Sequence, residues 1–244
     1  MTRDILTLIP ARMAASRLPG KPLAEIAGKP MICHVWEKAM AADLGPVVVA
    51  TDSEEIKAAI QSSGGEAVLT AADHPSGSDR IYEALCHIDE AGKYQAVINL
   101  QGDLPELDPQ LLHHLARLLD NPAWDLTTLV APATAEEAAK AQIVKAVVSF
   151  PDRDQTSGRA LYFSRAAIPD GPAPCYHHIG LYGWRRPALA QFVALPPSPL
   201  EISEKLEQLR ALEAGMHIGV AVVEDAPGGV DTAEDLAAAR ARLG

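Results

Sequence analysis

Three cations, Arg12, Arg17 and Lys21, stand among small residues (Ala11, Ala14, Ala15, Ser16, Gly20) near the start of the chain. A loop of small residues leaves its backbone N–H groups available, and the cationic side chains bring positive charge to the same place. That combination suits a polyphosphate. The loop follows Ile5-Leu6-Thr7-Leu8-Ile9, an apolar run with β-branched members that predicts a buried first strand. Pro10, which cannot donate to a sheet ladder, is expected to end it. Open α/β sheets bind ligands at the carboxyl ends of their strands. A second such place follows Ala96 to Leu100, where a predicted strand runs into Gln101-Gly102-Asp103. A carboxylate there, behind a glycine, suits a hard cation held by oxygen ligands, although an aspartate also serves a turn through local hydrogen bonds. The opening loop is neither G-x-G-x-x-G nor G-x-x-x-x-G-K-[ST], which disfavours the standard dinucleotide and ATPase loops.

The elements that must carry these residues alternate. Met31 to Ala42 has Ile32, Val35, Trp36, Ala39 and Met40 at helical spacing, with Pro30 as an early helical residue. Pro46 to Asp52 reads as a second buried strand, Ser53 to Ser62 as a helix with acids in its first turn, and Glu66 to Thr70 as a third strand. A helix through Ile88 follows His74-Pro75-Ser76-Gly77-Ser78-Asp79-Arg80, and Ser76 or Ser78 can cap it. Strand and helix in alternation predict an α/β fold, a Rossmann-like, mostly parallel sheet flanked by helices. Further on, Pro109 to Leu119 is an amphipathic helix with His113 and His114 toward solvent. Asp125 to Pro132 and Val144 to Phe150 read as strands, with a short helix from Thr134 to Gln142 between them. Composition then turns polar and Pro/Gly-rich from Ser149 to Pro174. This predicts a strand-rich insertion at about 149–185, a smaller lobe within a single domain spanning 1–244. Ser198-Pro199 opens a helix, Met216 to Val223 is the last strand, and a C-terminal helix starts at Ala233 with Thr232 or Asp231 as its cap.

A chain of 244 residues with 48% hydrophobic content can build a substantial core. The net charge of −11 argues against a general nucleic-acid surface, so cations for a nucleotide must be local or come from metal ions. Cys33, Cys86 and Cys175 are odd in number and widely spaced, which suits small buried residues in a reducing compartment. No apolar run approaches a membrane span and the N-terminus lacks a signal-peptide pattern, so a cytoplasmic location is expected, with no membrane partner.

The segment IPARMAASRLPGKPL resembles the signature loop of sugar nucleotidyltransferases, in particular the cytidylyltransferases that activate 3-deoxy-manno-octulosonate (Kdo). That family's pattern is IPAR-x-x-S-[ST]-RLPGKPL, and here Ala15 replaces its serine. The segments HPSGSDR, QGDLP, ALYFSR, HHIGLY, LEQLR and GVDTAEDL follow in the family's order, so the resemblance covers the chain from Ile9 to Leu236. One departure stands out: Leu104 occupies the place of an acid in the family's Q-G-D-E-P.

The resemblance implies transfer of a cytidylyl group from CTP to Kdo, giving CMP-Kdo and pyrophosphate for lipopolysaccharide biosynthesis. It implies magnesium on Asp103 and Asp231, and Arg12 and Lys21 on the β- and γ-phosphates. Ala11, Ser76, Gly77, Arg80 and Gln101 are its further nucleotide contacts. Gln101, Arg165, His178, Tyr182, Glu207 and Gln208 are its sugar-side residues. It suggests a homodimer formed through the strand-rich insertion. Leu104 keeps the same reaction on a related acid sugar open, an 8-amino analogue of Kdo or a sialic acid. A non-catalytic sugar-nucleotide-binding module is the reading from another class.

Overall fold

The computed structural model describes residues 4–14, 18–151, 156–171 and 173–244. The Ala15 and Ser16 departure in the opening loop, and Arg17, lie outside the described residues. In chain order the elements are β1 (Ile5–Ala11), β2 (Glu25–Ile26), β3 (Lys29–Pro30), α1 (Met31–Ala41), β4 (Val47–Thr51), α2 (Glu54–Ser62), β5 (Glu66–Leu69), α3 (Gly77–Ile88), β6 (Ala96–Asn99) and α4 (Gln110–Leu118). Then come β7 (Leu126–Pro132), α5 (Ala135–Ala138), β8 (Lys145–Ser149), β9 (Ser157–Ser164), β10 (Tyr176–Arg185), α6 (Arg186–Ala194), α7 (Pro199–Glu204), α8 (Gln208–Glu213), β11 (Ile218–Val222) and α9 (Ala233–Leu243). The chain divides into two compact units, 1–113 with 227–244, and 114–226. The stretch expected to be strand-rich, 149–185, lies in the second. Among the described residues no helix is long and apolar enough to cross a membrane.

The first unit is the expected βαβ arrangement. Its strands run β5-β4-β1-β6, every neighbouring pair parallel. Ile5, Leu6, Leu8 and Ile9 are buried, as the apolar run requires. Pro10 does not end β1; the strand continues to Ala11, paired with Thr51 of β4. The reason lies in strand alternation. Leu8 accepts from Leu100 N–H on the β6 side while Thr7 donates to Pro46 on the β4 side, so Pro10 faces β6. Pairing with β6 ends at Leu8 opposite Asn99, so the missing proline donor has no ladder to break. Pro30 is likewise not inside α1; it pairs with Glu25 in the β2–β3 hairpin and immediately precedes the helix. Met40, expected on the buried stripe of α1, is 47% exposed. Cys33 is buried as expected, but Cys86 is exposed on α3.

A satellite core decides where the C-terminus goes. Ile26, Met31, Val230, Leu236 and Ala239 are buried together, with Leu18, Ala24 and Leu243 packed against them. Burying these apolar side chains docks α9 against the hairpin and the start of α1. Arg240 Nε reinforces the contact by donating to the Glu25 carbonyl, 2.8 Å.

In the second unit, β7 pairs antiparallel with β10 and parallel with β11. β9 pairs antiparallel with both β11 and β8. β8 also meets the start of β10, opposite Tyr176 and His177, so the five strands close on themselves at that end. A file of rings runs along the interior: Phe163 on His178, His178 on Tyr182, Tyr182 on Trp184 and Trp184 on Phe192, with centroids 4.7 to 6.2 Å apart. Arg210 lies over Phe192 and forms an ion pair with Glu201.

Candidate active site

The expected phosphate-site residues converge in the first unit. Gly20 has φ near +70°, a left-handed turn that a side chain would strain, and it starts a short 3-10 turn over Lys21–Leu23. Its N–H bonds back to the Met13 carbonyl, closing the loop. Lys21 thereby reaches the carboxyl end of the sheet. Its Nζ lies 2.9 Å from Asp103 Oδ2 and 3.1 Å from Asp231 Oδ1. These three residues are far apart in sequence, and two local devices bring the carboxylates together. Val230 N–H donates to the Asp103 carbonyl, 2.9 Å, which joins the loop after β6 to the entry of α9. The Asp235 carboxylate accepts the N–H groups of Asp231 and Thr232, while the Thr232 hydroxyl accepts from Asp235 N–H. Thr232, not Asp231, is therefore the cap, and the Asp231 side chain is left to face Lys21. Burial works against the Lys21 ammonium, but Asp103 and Asp231 outweigh it and hold the pKa above the ordinary lysine value.

A cavity of about 250 Å³ opens at this triad, lined by Pro10, Ala11, Arg12, Gln101 and Gly102 among others. Arg12 is exposed at its edge. Gly102 is closely packed here: a Cβ would stand 3.0 Å from the Pro10 carbonyl oxygen and 3.2 Å from Ile32 Cδ1, so a side chain would need those neighbours to give. Leu104 points away from solvent and is 8% exposed, so an apolar side chain is well accommodated where the resembling family carries an acid.

A smaller cavity of about 170 Å³ shares Pro10, Ala11, Arg12 and Gln101 with the first and adds His74, Ser76, Gly77 and Arg80. The structure decides the cap of α3. Ser76 Oγ accepts from the N–H groups of Ser78 and Asp79 and donates to the Asp79 carboxylate. Arg80 is 3% exposed, and its guanidinium donates to Thr70 Oγ1 (2.6 Å) and Asp52 Oδ2 (3.0 Å). Glu83 ties the preceding loop down by accepting from His74 and from Ala71 N–H.

The second unit holds the remaining expected residues. His178, Tyr182 and Gln208 are buried together: the His178 ring packs on Tyr182, and its Nδ1 lies 3.4 Å from Gln208 Nε2. Glu207 precedes α8 as its N-cap residue and is half-buried. Arg165 donates to three backbone carbonyls, Glu204 (3.0 Å), Ala141 (3.3 Å) and Lys205 (3.3 Å). Glu204 accepts from Arg165 N–H and Ser164 Oγ, and the Arg165 N–H leads in holding its carboxyl below the usual range. Lys145, fully buried, donates from Nζ to the carbonyls of Lys140, Ile143 and Arg165. Sequence reading passed over Lys145, Glu204 and Thr128. A lysine and paired threonines inside otherwise apolar strand runs are the signal that could have flagged the first and last.

Burial, with a lesser contribution from His177, pulls the His178 pKa from 6.5 to about 3. In the unfolded chain this histidine takes up its proton near 6.5, whereas the folded protein refuses it until about 3. Between those values the unfolded state binds more protons, so stability falls with pH by up to roughly 1.4 kcal/mol per pH unit. Urea midpoints should therefore drop as pH falls through this window, and His178→Asn should flatten that part of the curve. Parallel curves for the two proteins would contradict the buried neutral imidazole.

A model of the cytidylyltransferase family matches residues 6–218 of this chain. A 3-deoxy-manno-octulosonate cytidylyltransferase of Parvibaculum lavamentivorans is 57% identical over 239 residues, covering 98% of this chain and 92% of that protein. Another, of Bradyrhizobium sp. strain ORS 278, is 58% identical over 245 residues, covering 100% and 99%. A solved structure of CMP:2-keto-3-deoxy-manno-octonic acid synthetase complexed with CTP superposes with a TM-score of 0.89 at 41% identity, covering 98% of each chain.

Proposed function

The chain belongs to the cytidylyltransferase family, and on that premise we propose that it transfers the cytidylyl group of CTP to Kdo, giving CMP-Kdo and pyrophosphate. The observation that carries this reading is the meeting of Lys21, Asp103 and Asp231 at a cavity lined by the opening loop. Its chemistry fits nucleotidyl transfer. The anomeric hydroxyl oxygen of the sugar forms a bond to the α-phosphorus, the bond to pyrophosphate breaks, and the hydroxyl proton leaves to solvent. Such a reaction depends on positioning and on neutralising phosphate charge. Arg12 and Lys21 supply the cations that hold the triphosphate and stabilise the departing pyrophosphate. Ala11, Ser76, Gly77, Arg80 and Gln101 border the place for the nucleoside. In the second unit His178, Tyr182, Glu207, Gln208 and Arg165 belong to the sugar side of the reading.

Magnesium is the proposed cofactor, held by Asp103 and Asp231. The donor set fits: two carboxylates already converge on one positive charge, the Lys21 ammonium. Among the described residues there is no group of three or more metal-ligating side chains, so the ion would complete its shell with phosphate oxygens and water, as this cation commonly does. When bound it neutralises phosphate charge and lowers the pKa of the attacking hydroxyl. We also assign the protein to the cytoplasm and to the supply of lipopolysaccharide biosynthesis, as a homodimer. Within the stretch 149–185, Leu161 is an exposed apolar side chain, 45% accessible, that a dimer interface there would cover.

The test is pyrophosphate release with CTP, with and without Kdo, repeated in EDTA and across a panel of acid sugars. Release that needs Kdo, CTP and magnesium together is expected. Release with another acid sugar but not Kdo would move the substrate, and silence with tight CTP binding would favour a binding module.

A further inference from the structure

Thr127 and Thr128 are hydroxyl residues in the middle of the apolar strand β7, and both are fully buried. A hydroxyl buried there must find partners. Thr128 finds three, because β10 bulges between Ile179 and Tyr182 opposite it. The bulge turns two carbonyls onto the same oxygen: Thr128 Oγ1 is 3.0 Å from Ile179 O and 2.8 Å from Leu181 O. The third neighbour is His178 Nε2, at 2.9 Å. The opposite ring nitrogen, Nδ1, faces the Gln208 side-chain amide.

Counting hydrogens selects one arrangement. The imidazole is neutral, since burial keeps its pKa near 3, so one ring nitrogen donates and the other accepts. If Nε2 were bare, the single Thr128 hydrogen would go to it, and two carbonyl oxygens would face the threonine lone pairs with no hydrogen between them. If Nε2 carries the hydrogen, it donates to Thr128 Oγ1, and the threonine hydrogen goes to the Leu181 or Ile179 carbonyl. One carbonyl contact, instead of two, is then left without a hydrogen, and the ring nitrogen keeps its partner. Nδ1 is therefore the acceptor and takes a hydrogen from Gln208 Nε2. The amide is thus oriented, and its Oε1, which accepts no hydrogen bond among the described residues, is the acceptor it presents.

We propose that Thr128 is a positioning residue: through the bulge carbonyls it fixes His178 as the Nε2–H tautomer and so makes Gln208 present its oxygen, not its nitrogen, to a sugar hydroxyl. The tautomer follows from these contacts and the burial of the ring, and the sugar hydroxyl rests on the function proposed above. Thr128→Val keeps the shape and removes the oxygen. Its buried Nε2–H loses its acceptor, so the KM for Kdo should rise roughly tenfold, with the KM for CTP unchanged. Thr128→Ser, which keeps the hydroxyl, should restore the wild-type value. Nitrogen-15 NMR of the imidazoles reads the tautomer without substrate. The wild type and Thr128→Ser should show His178 protonated at Nε2 and bare at Nδ1, and Thr128→Val should lose that signature. Wild-type protein protonated at Nδ1 would overturn the proposal even if the valine variant does not fold. So would a folded valine variant with unchanged tautomer and unchanged KM for Kdo. A wild type inactive with Kdo but carrying the expected tautomer would remove the sugar assignment and uphold the role of Thr128 toward His178 and Gln208.

Discussion

Asp103→Asn should lower kcat by at least about a thousandfold while the protein stays folded, because it removes preorganised charge at the reacting phosphate. The fold should survive because the contact that joins the loop after β6 to α9 uses the Asp103 backbone carbonyl, not its side chain. The side chain itself is 28% exposed, and its ion pair with Lys21 is of the solvent-accessible kind that contributes little, about 0–1 kcal/mol. The loss should therefore appear in turnover at saturating CTP and sugar, with the thermal midpoint nearly unchanged. Asp231→Asn should behave alike, since its capping partner Asp235 bonds the backbone of residue 231. Turnover near the wild-type level in Asp103→Asn would remove the metal assignment. A collapsed midpoint would make Asp103 a structural residue instead.

How much of this site can be read from the sequence depends on where each residue finds its partners. The strand-loop and strand-Gly-Asp patterns are local, and both land at the carboxyl ends of buried strands, as their apolar runs dictate. The caps were legible as alternatives only. Ser76 against Ser78, and Thr232 against Asp231, are settled by which side chain reaches the first-turn N–H groups. The hairpin of β2 and β3 escaped notice because strands of two residues carry no periodicity. Pro10 misled because its effect on a strand depends on which side the missing donor faces, a fact of sheet order rather than of sequence. The convergence of Lys21 on two carboxylates 82 and 210 residues away needed the satellite core that docks α9. Thr128 was invisible for a related reason: its importance comes from a bulge in another strand.

Arg80 shows the same limit with a measurable consequence. A guanidinium beside a loop proposed to meet the nucleotide invites assignment to the ligand, yet here both terminal nitrogens donate to protein oxygens, Thr70 Oγ1 and Asp52 Oδ2. Those partners lie at the ends of β5 and β4, so the arginine fastens the start of α3 to the sheet edge that carries the smaller cavity. Arg80→Met should cost about 3–5 kcal/mol, because it leaves Asp52, whose side chain is only 13% exposed, as an unpaired charge. The double variant Arg80→Met with Asp52→Leu should recover much of that stability, since no lone carboxylate remains. Denaturant midpoints of the two single variants and the double variant measure this coupling, and additive losses would disprove it. CTP affinity of the refolded double variant separates the two uses of the guanidinium. Affinity within a few-fold of wild type means that Arg80 builds the pocket wall through Asp52 and Thr70. A large loss at recovered stability means that it also reaches the nucleotide.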